Sequence, residues 1–203
     1  KKKQKKQKKN IKKALKITSL IACVLIPMLF VLGEDLGKIL FDNELSGKII
    51  RRSCLMLLPM SLNMITTSML NSLGYEKHTC GYFFIGAAAT LACTWFLPAY
   101  IGIYAQIAGT ALSSLICCVL NLRLLAKKSK EKVRFLKHTL ISAFTILPVS
   151  ILGVLLHNVF CSCMPLLFAA ISTGTILLAA DALFLFALGL AEPKWVKVLV
   201  RKS

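Results

Sequence analysis

The sequence predicts an all-α protein, a polytopic membrane helix bundle with six transmembrane helices. Hydrophobic residues make up 57% of the 203 residues, and the mean hydropathy is +0.72. Only 17% of the residues are charged, against about 25% in soluble domains. A membrane-spanning helix needs about 20 consecutive, mostly apolar residues. Six such segments follow one another, at residues 14–32, 53–73, 81–97, 102–126, 139–156 and 164–190.

Basic residues indicate how these segments are oriented. Residues 1–13 contain nine lysines and no acidic residue, and an excess of Lys and Arg in short loops marks the cytoplasmic side. Residues 127–138 and the tail 191–203 are also basic. We therefore predict three basic cytoplasmic segments, and a short cytoplasmic turn at 74–78, around a four-helix part at 14–126 and the last two helices at 139–190. Both ends of the chain are expected in the cytoplasm. Because the chain begins with lysine rather than methionine, we interpret it as a piece of a longer protein.

The connections on the opposite side carry fewer basic residues. Residues 33–48 are predicted to form the first outer loop, and they contain four acidic side chains, Glu34, Asp35, Asp42 and Glu44. Residues 157–163, with the sequence HNVFCSC, are predicted as the last outer loop. The alternation of basic and less basic loops agrees with the six-span topology.

Small residues predict that the spans pack against one another. Ala105, Gly109, Ser113 and Cys117 recur every four residues in the fourth span. A second stripe runs along the third span at Gly86, Thr90 and Thr94. Such stripes allow close approach of helix backbones in a membrane. Pro27, Pro59 and Pro148 fall within other spans, where each removes one helical hydrogen bond and favours a bend.

Several function classes are excluded by composition and spacing. The net charge is +18, and the basic residues lie between apolar blocks, not on one folded face. We therefore predict attraction to anionic membrane lipids and no nucleic-acid binding. There is no Gly-rich phosphate loop, no HExxH motif and no CxxC pair. His78, His138 and His157 fall near different membrane boundaries. We therefore predict no catalytic residues, no metal ligands and no cofactor.

Polar side chains within the second span form the first candidate site. Asn63, Thr66, Thr67 and Asn71 place much of its polarity on one helical face. That face can line a cavity for a polar headgroup, or it can hydrogen-bond to neighbouring helices. Further candidates of the same kind in the fourth span are Gln106, Asn121 and Arg123.

Two charged residues complete the candidate site residues. Arg52, next to Arg51 at the outer end of the second span, can meet a phosphate or extend towards the membrane interface. Asp181 lies deep within the last span, where burying a charge is costly, so it should face the bundle interior or water, or be protonated. It is a candidate for a coupling-ion or substrate cavity, and the alternatives are a structural hydrogen bond and a position close to the cytoplasmic surface.

Two long stretches resemble a known family. They are LPMSLNMITTSMLNSLGYEKHTCGYFFIG and WFLPAYIGIYAQIAGTALSSLICCVLNLRLL. They are similar to the C-terminal lobe of the polysaccharide-export and oligosaccharidyl-lipid flippases of the multidrug and toxin extrusion-like superfamily, within it the stage V sporulation protein B and MviN-like group. The residues that carry the resemblance are Pro59, the NSLG turn at 71–74 and the passage LPAYIGIYAQIAGTALS.

The resemblance implies a two-lobed transporter of about fourteen helices, of which the six spans are the C-terminal lobe. It implies a flippase, not an enzyme, that moves lipid-linked oligosaccharide or peptidoglycan precursor across the bacterial inner membrane by alternating access. The implied partners are membrane lipids, the lipid-linked sugar and an N-terminal lobe of the same protein. The alternatives are a cation-coupled multidrug antiporter of the same superfamily, a membrane-embedded glycolipid-modifying enzyme, and a six-span scaffold protein.

Overall fold

The computed structural model describes residues 2–129 and 143–187, and this part of the chain is helical and contains no β-strand. Within this described part, a 3₁₀ turn at Cys54–Met56 joins the second α-helix to the third. In chain order the helices are α1 (Lys2–Phe41), α2 (Glu44–Ser53), α3 (Leu57–Ser72), α4 (Glu76–Phe96), α5 (Pro98–Ile101), α6 (Tyr104–Ser129), α7 (Ile146–Cys163) and α8 (Leu166–Ala187).

Among the described residues, six helical stretches are long and apolar enough to cross a membrane, in agreement with the predicted number. They are Lys13–Phe41, Glu44–Ser72, Glu76–Phe96, Tyr104–Lys128, Ile146–Cys163 and Leu166–Leu185. Large apolar side chains such as Phe84, Trp95 and Ile151 are exposed along them. Contiguous exposed apolar surface is rare in soluble monomers, so this surface suits contact with lipid.

The prediction that residues 33–48 form a loop is wrong, because most of them are helical. Helix α1 continues through Glu34 and Asp35 to Phe41, and only Asp42 and Asn43 separate it from α2. The Asn43 side chain begins α2 by accepting a hydrogen bond from the Leu45 backbone N–H at 2.8 Å. Charged residues of this segment are tolerated in the helices because they form ion pairs. Glu34 binds Arg51, and Lys38 lies 3.3 Å from Glu44.

The predicted last outer loop, residues 157–163, is wrong as well, because helix α7 continues to Cys163. His157 and Cys161 therefore lie one helical turn apart on a regular helix. Residue 1, the loop at 130–138, the start of the fifth span at 139–142, the end of the last span at 188–190 and the tail at 191–203 lie outside the described residues.

The predicted bend at Pro59 has a counterpart in the second span. Pro59 has no N–H to donate to the carbonyl of Leu55, four residues earlier. The chain forms the 3₁₀ turn at Cys54–Met56 at this point, and α3 begins at Leu57. A short 3₁₀ turn is a common way to accommodate a missing helical hydrogen bond.

The described residues belong to two units. The first unit contains residues 2–22 and 55–129, and the second contains residues 23–54 and 143–187. Both the first span and the segment from α2 to α3 contribute to both units. The core of the first unit contains Leu15, Leu62, Leu70, Cys118, Leu124 and Leu125. The core of the second contains Val31, Leu32, Val149, Ala170 and Leu177.

In the first unit, α6 packs against α3 and α4. The predicted small-residue stripes of the third and fourth spans face each other there. A Cβ atom on Gly86 would lie 2.6 Å from both Cys117 Sγ and Ser113 Oγ. One turn further along, Thr90 Oγ1 donates to the Gly109 carbonyl at 3.3 Å. The stripes therefore bring α4 and α6 into close contact, as predicted.

In the second unit, α7 packs against α8, and both approach α1. A Cβ atom on Gly153 of α7 would lie 2.8 Å from side-chain atoms of Val31 and Leu177. The α1 and α2 backbones also meet closely, because a Cβ on Gly37 would overlap the backbone of Gly47. Glycine is required at this crossing, since its missing Cβ is the space that the other helix occupies.

Candidate functional site

A cavity of about 560 Å³ lies in the first unit between α3, α4 and α6. This volume falls in the range of about 300–1,000 Å³ that is common for small-molecule sites. Its lining is a mixture of amides, hydroxyls and apolar side chains. The lining residues are Asn63, Met64, Thr67, Ser68, Asn71, Ser72, Thr79, Tyr82, Phe83, Cys117 and Asn121.

Three of the five predicted site residues, Asn63, Thr67 and Asn71, line this cavity. They recur every four residues on α3, so they project from one face of the helix. Thr66 is the exception in the predicted polar face. It is fully buried, and its hydroxyl donates to the backbone carbonyl of Leu62 at 2.7 Å.

The floor of the cavity is an amide cluster formed by Asn63, Thr67 and Asn121. Asn121 Nδ2 donates to Asn63 Oδ1 and to Thr67 Oγ1, each at 2.8 Å. The Thr67 hydroxyl in turn donates a hydrogen bond to Asn63 Oδ1 at 3.4 Å. The hydrogen bonds between α3 and α6 were one of the two sequence-based interpretations, and they coexist here with a cavity.

Asn121 is the member of the amide cluster that the sequence singled out least. It is 2% exposed, and its Oδ1 is buried and accepts no hydrogen bond from the described residues. An unpaired buried acceptor costs free energy unless a partner arrives. The available signal was an amide within the apolar part of α6, a type of residue that usually has a partner inside a membrane bundle.

The turn between α3 and α4 connects the two helices that provide most of the cavity lining. Gly74 has φ +80°, a conformation that glycine adopts without strain, and the Tyr75 N–H donates back to the Leu70 carbonyl at 3.0 Å. This turn brings Thr79 over α3, where its hydroxyl donates to Asn71 Oδ1 at 2.6 Å. The third predicted site residue on α3 is therefore held by α4.

The lining contains no charged side chain. Amides and hydroxyls both donate and accept hydrogen bonds, so this surface suits a neutral ligand that is rich in hydroxyl or amide groups. Two apolar members of the lining, Met64 and Phe83, are 68% and 67% exposed. The cavity thus has a polar floor and an apolar rim that faces outwards.

The other two predicted site residues belong to the second unit. Arg52 is exposed on α2. Its neighbour Arg51 binds Glu34 at 2.7 Å and lies over the Phe30 ring, 4.6 Å from its centroid. Asp181 on α8 is 1% exposed, as expected for an acidic residue facing the interior, and its Oδ2 has no hydrogen-bond donor among the described residues.

Comparison of the chain with protein-family models, curated proteins and solved structures finds no match. Functional conclusions therefore depend on the residues and on the geometry of the cavity.

Proposed function

We propose that this chain is part of a membrane flippase that moves lipid-linked oligosaccharide or peptidoglycan precursor. The observation that carries the proposal is the neutral, amide-lined cavity inside an apolar helix bundle. In this proposal the sugar headgroup binds at the floor formed by Asn63, Thr67 and Asn121. The location would be the bacterial inner membrane, with both chain ends cytoplasmic, as the distribution of basic residues predicts.

A sugar fits the floor better than a charged drug does. Sugar hydroxyls are neutral groups that donate and accept, and the amide and hydroxyl side chains of the lining match both functions. Asn121 Oδ1 accepts no hydrogen bond within the described residues, so a ligand hydroxyl would satisfy it. A cationic drug would find no acidic side chain among the lining residues, which favours the flippase over the antiporter.

The lipid tail accounts for the apolar rim. Met64 and Phe83 line the cavity and are largely exposed, so a ligand with its headgroup at the floor would leave past an apolar edge. An amphiphile needs both surfaces, a polar one for its head and a lipid-facing one for its tail. The family resemblance adds that a second lobe supplies the opposite wall and that alternating access drives transport.

Binding of a labelled lipid-linked disaccharide to the full chain in nanodiscs tests the proposal. Asn121→Leu should weaken binding about tenfold or more. It removes one hydrogen bond to the ligand and leaves Asn63 and Thr67 without their donor, which together cost about 1.4 kcal/mol or more. Asn158→Leu is the matched control, since Asn158 is exposed on α7 in the second unit. The same lipid without its sugar should bind weakly. Equal binding of both lipids would contradict the proposal.

A liposome assay tests the two-lobed part of the proposal separately. The resemblance assigns half of the central cavity wall to another lobe, so this chain by itself should not translocate the headgroup. Chemical accessibility of a labelled headgroup on each side of the liposome measures translocation. Transport by the isolated chain would show that the six spans suffice.

A further inference from the structure

Three side chains that bind transition metals meet in the second unit. Asp35 of α1 and His157 and Cys161 of α7 each offer one ligand atom, and the three atoms lie within 4.8 Å of one another. His157 Nε2 lies 2.9 Å from Asp35 Oδ2 and 3.3 Å from Cys161 Sγ. We refer to these residues as the Asp–His–Cys cluster.

The two separations from His157 Nε2 are close to those around a tetrahedral zinc ion, and the third, between Asp35 and Cys161, is at most 4.8 Å. Zinc lies about 2.3 Å from sulfur and about 2.0–2.2 Å from nitrogen and oxygen, which puts neighbouring ligand atoms about 3.3–3.6 Å apart. The observed 2.9 Å and 3.3 Å are within a few tenths of an ångström of those values. Small side-chain rotations would therefore accommodate the ion.

Thr173 orients the imidazole ring so that one nitrogen faces the cluster. His157 Nδ1 lies 3.3 Å from Thr173 Oγ1, and that hydroxyl donates its hydrogen to the Ala169 carbonyl at 2.7 Å. The hydroxyl therefore accepts from Nδ1–H. In the neutral ring this leaves the Nε2 lone pair directed at Asp35 and Cys161, whereas in the charged ring an Nε2–H is directed at Asp35. Metal-binding histidines usually have such a partner for the second nitrogen.

The buried carboxylate of Asp35 is a further feature that a cation would satisfy. Its Oδ2 is buried and receives no aligned hydrogen bond from the described residues, although His157 Nε2 is 2.9 Å away. A buried carboxylate oxygen without a donor is costly. An ion held between Oδ2 and Nε2 would satisfy both atoms.

We propose that the Asp–His–Cys cluster binds one divalent transition-metal ion, with Zn²⁺ as the best match. Thiolate and imidazole favour Zn²⁺ over Mg²⁺ or Ca²⁺, which prefer oxygen ligands. Cys161 gives up its thiol proton to solvent when it binds, and a water molecule takes the fourth position. Burial falls from Asp35 to the exposed Cys161, so the ion has access from the Cys161 side. The site goes beyond the proposed function and does not depend on it.

Cobalt titration of the full chain in detergent tests the assignment, because Co²⁺ bound by a thiolate has a characteristic charge-transfer absorption. One Co²⁺ per chain should give this band, and Zn²⁺ should displace it. The band should disappear in Cys161→Ser, and binding should weaken at least about tenfold in Asp35→Asn. Cys163→Ser is the matched control and should leave the band unchanged. Absence of the band, or its persistence in Cys161→Ser, would overturn the proposal.

A second experiment needs no variant. Cys80, Cys161 and Cys163 are the exposed thiols among the described residues, so a maleimide reagent should modify all three in the chelator-treated protein. Zn²⁺ should slow modification of Cys161 at least about tenfold, because its thiolate becomes a metal ligand. Peptide mass spectrometry reads each cysteine separately, and Cys80 and Cys163 serve as internal controls. Equal modification of Cys161 with and without Zn²⁺ would refute the site.

Discussion

The buried polar side chains described in the first unit are neutral, whereas the second unit also buries two carboxyl groups. In the first unit, the amide cluster joins α3 and α6 through hydrogen bonds between uncharged side chains, each 2.8 Å long. In the second unit, Asp35 and Asp181 are both nearly inaccessible to solvent. The imidazole ring of His157 lies 2.9 Å from the carboxyl group of Asp35. The two regions illustrate two ways of keeping polar atoms inside an apolar helix bundle.

The difference matters because neutral and ionisable groups need different partners when they are buried. Neutral amides pair with each other at small net cost and leave one acceptor, Asn121 Oδ1, for a neutral ligand. A buried carboxylate needs a counter-charge, a proton or a metal ion. The first unit is therefore suited to binding hydroxyl groups, and the second is suited to holding a cation.

The largest effect on stability is expected when the counter-charge of Asp35 is removed. His157→Ala should lower the free energy of unfolding by about 3–5 kcal/mol, because it leaves a buried carboxylate without its partner. Unfolding in detergent with a chelator present measures the loss without a metal contribution. The double variant Asp35→Asn, His157→Ala should recover part of the stability. A loss of less than about 1 kcal/mol in His157→Ala would show that the pair is not a buried ionic one.

A second test places an ionisable group in the neutral unit. Asn121→Asp removes both hydrogens donated to Asn63 and Thr67 and places a carboxylate against two oxygen acceptors. The expected loss is about 2–3 kcal/mol at neutral pH. Asn121→Ala, which removes the hydrogen bonds without adding a charge, should cost about 1–2 kcal/mol. Equal stability of the two variants would contradict the distinction between neutral and ionisable burial.

The reverse substitution in the second unit should have a smaller effect of opposite sign. Asp181→Asn keeps the size of the side chain and removes the group whose ionised form is costly to bury. Because Asp181 Oδ2 has no donor among the described residues, we expect a gain of up to about 1 kcal/mol. Thermal unfolding at neutral pH measures it. A clear loss of stability would indicate that the carboxylate has a structural partner after all.

The smallest effect is expected at the ion pair between Glu34 and Arg51. The two atoms are 2.7 Å apart, but the side chains are 45% and 37% exposed, so solvent screens their attraction. Glu34→Gln should cost about 0.5 kcal/mol, since Arg51 keeps its contact with Phe30. The effect should shrink in high salt. A loss comparable to that of His157→Ala would mean that solvent exposure does not determine how much each ion pair contributes to stability.

Local patterns predicted much of the fold. Apolar runs of about 20 residues correspond to helices because the bilayer requires that length and a fully paired backbone. The small-residue stripes of α4 and α6 face each other because residues four apart share one face of a helix. The same periodicity predicted one polar face for Asn63, Thr67 and Asn71, and these residues line the cavity.

The predictions that failed involve charged residues near the ends of helices. Residues 33–48 and 157–163 were predicted as loops because they contain acidic or polar side chains, whereas both are largely helical. Local composition does not reveal that Glu34 will meet Arg51 and that Asp35 will meet His157. These partners are distant in the sequence, and their pairing makes the helical extensions tolerable.

The sequence by itself determined the class of the protein, the number of apolar spans and the face of α3 that carries its amides, because hydropathy and helical periodicity are local properties. Only the tertiary structure decided which of these groups meet. It joined Asn121 to the α3 face and brought Asp35 to His157 and Cys161, because such contacts depend on how helices cross. The crossings in turn depend on where glycines such as Gly37 and Gly86 permit backbones to approach.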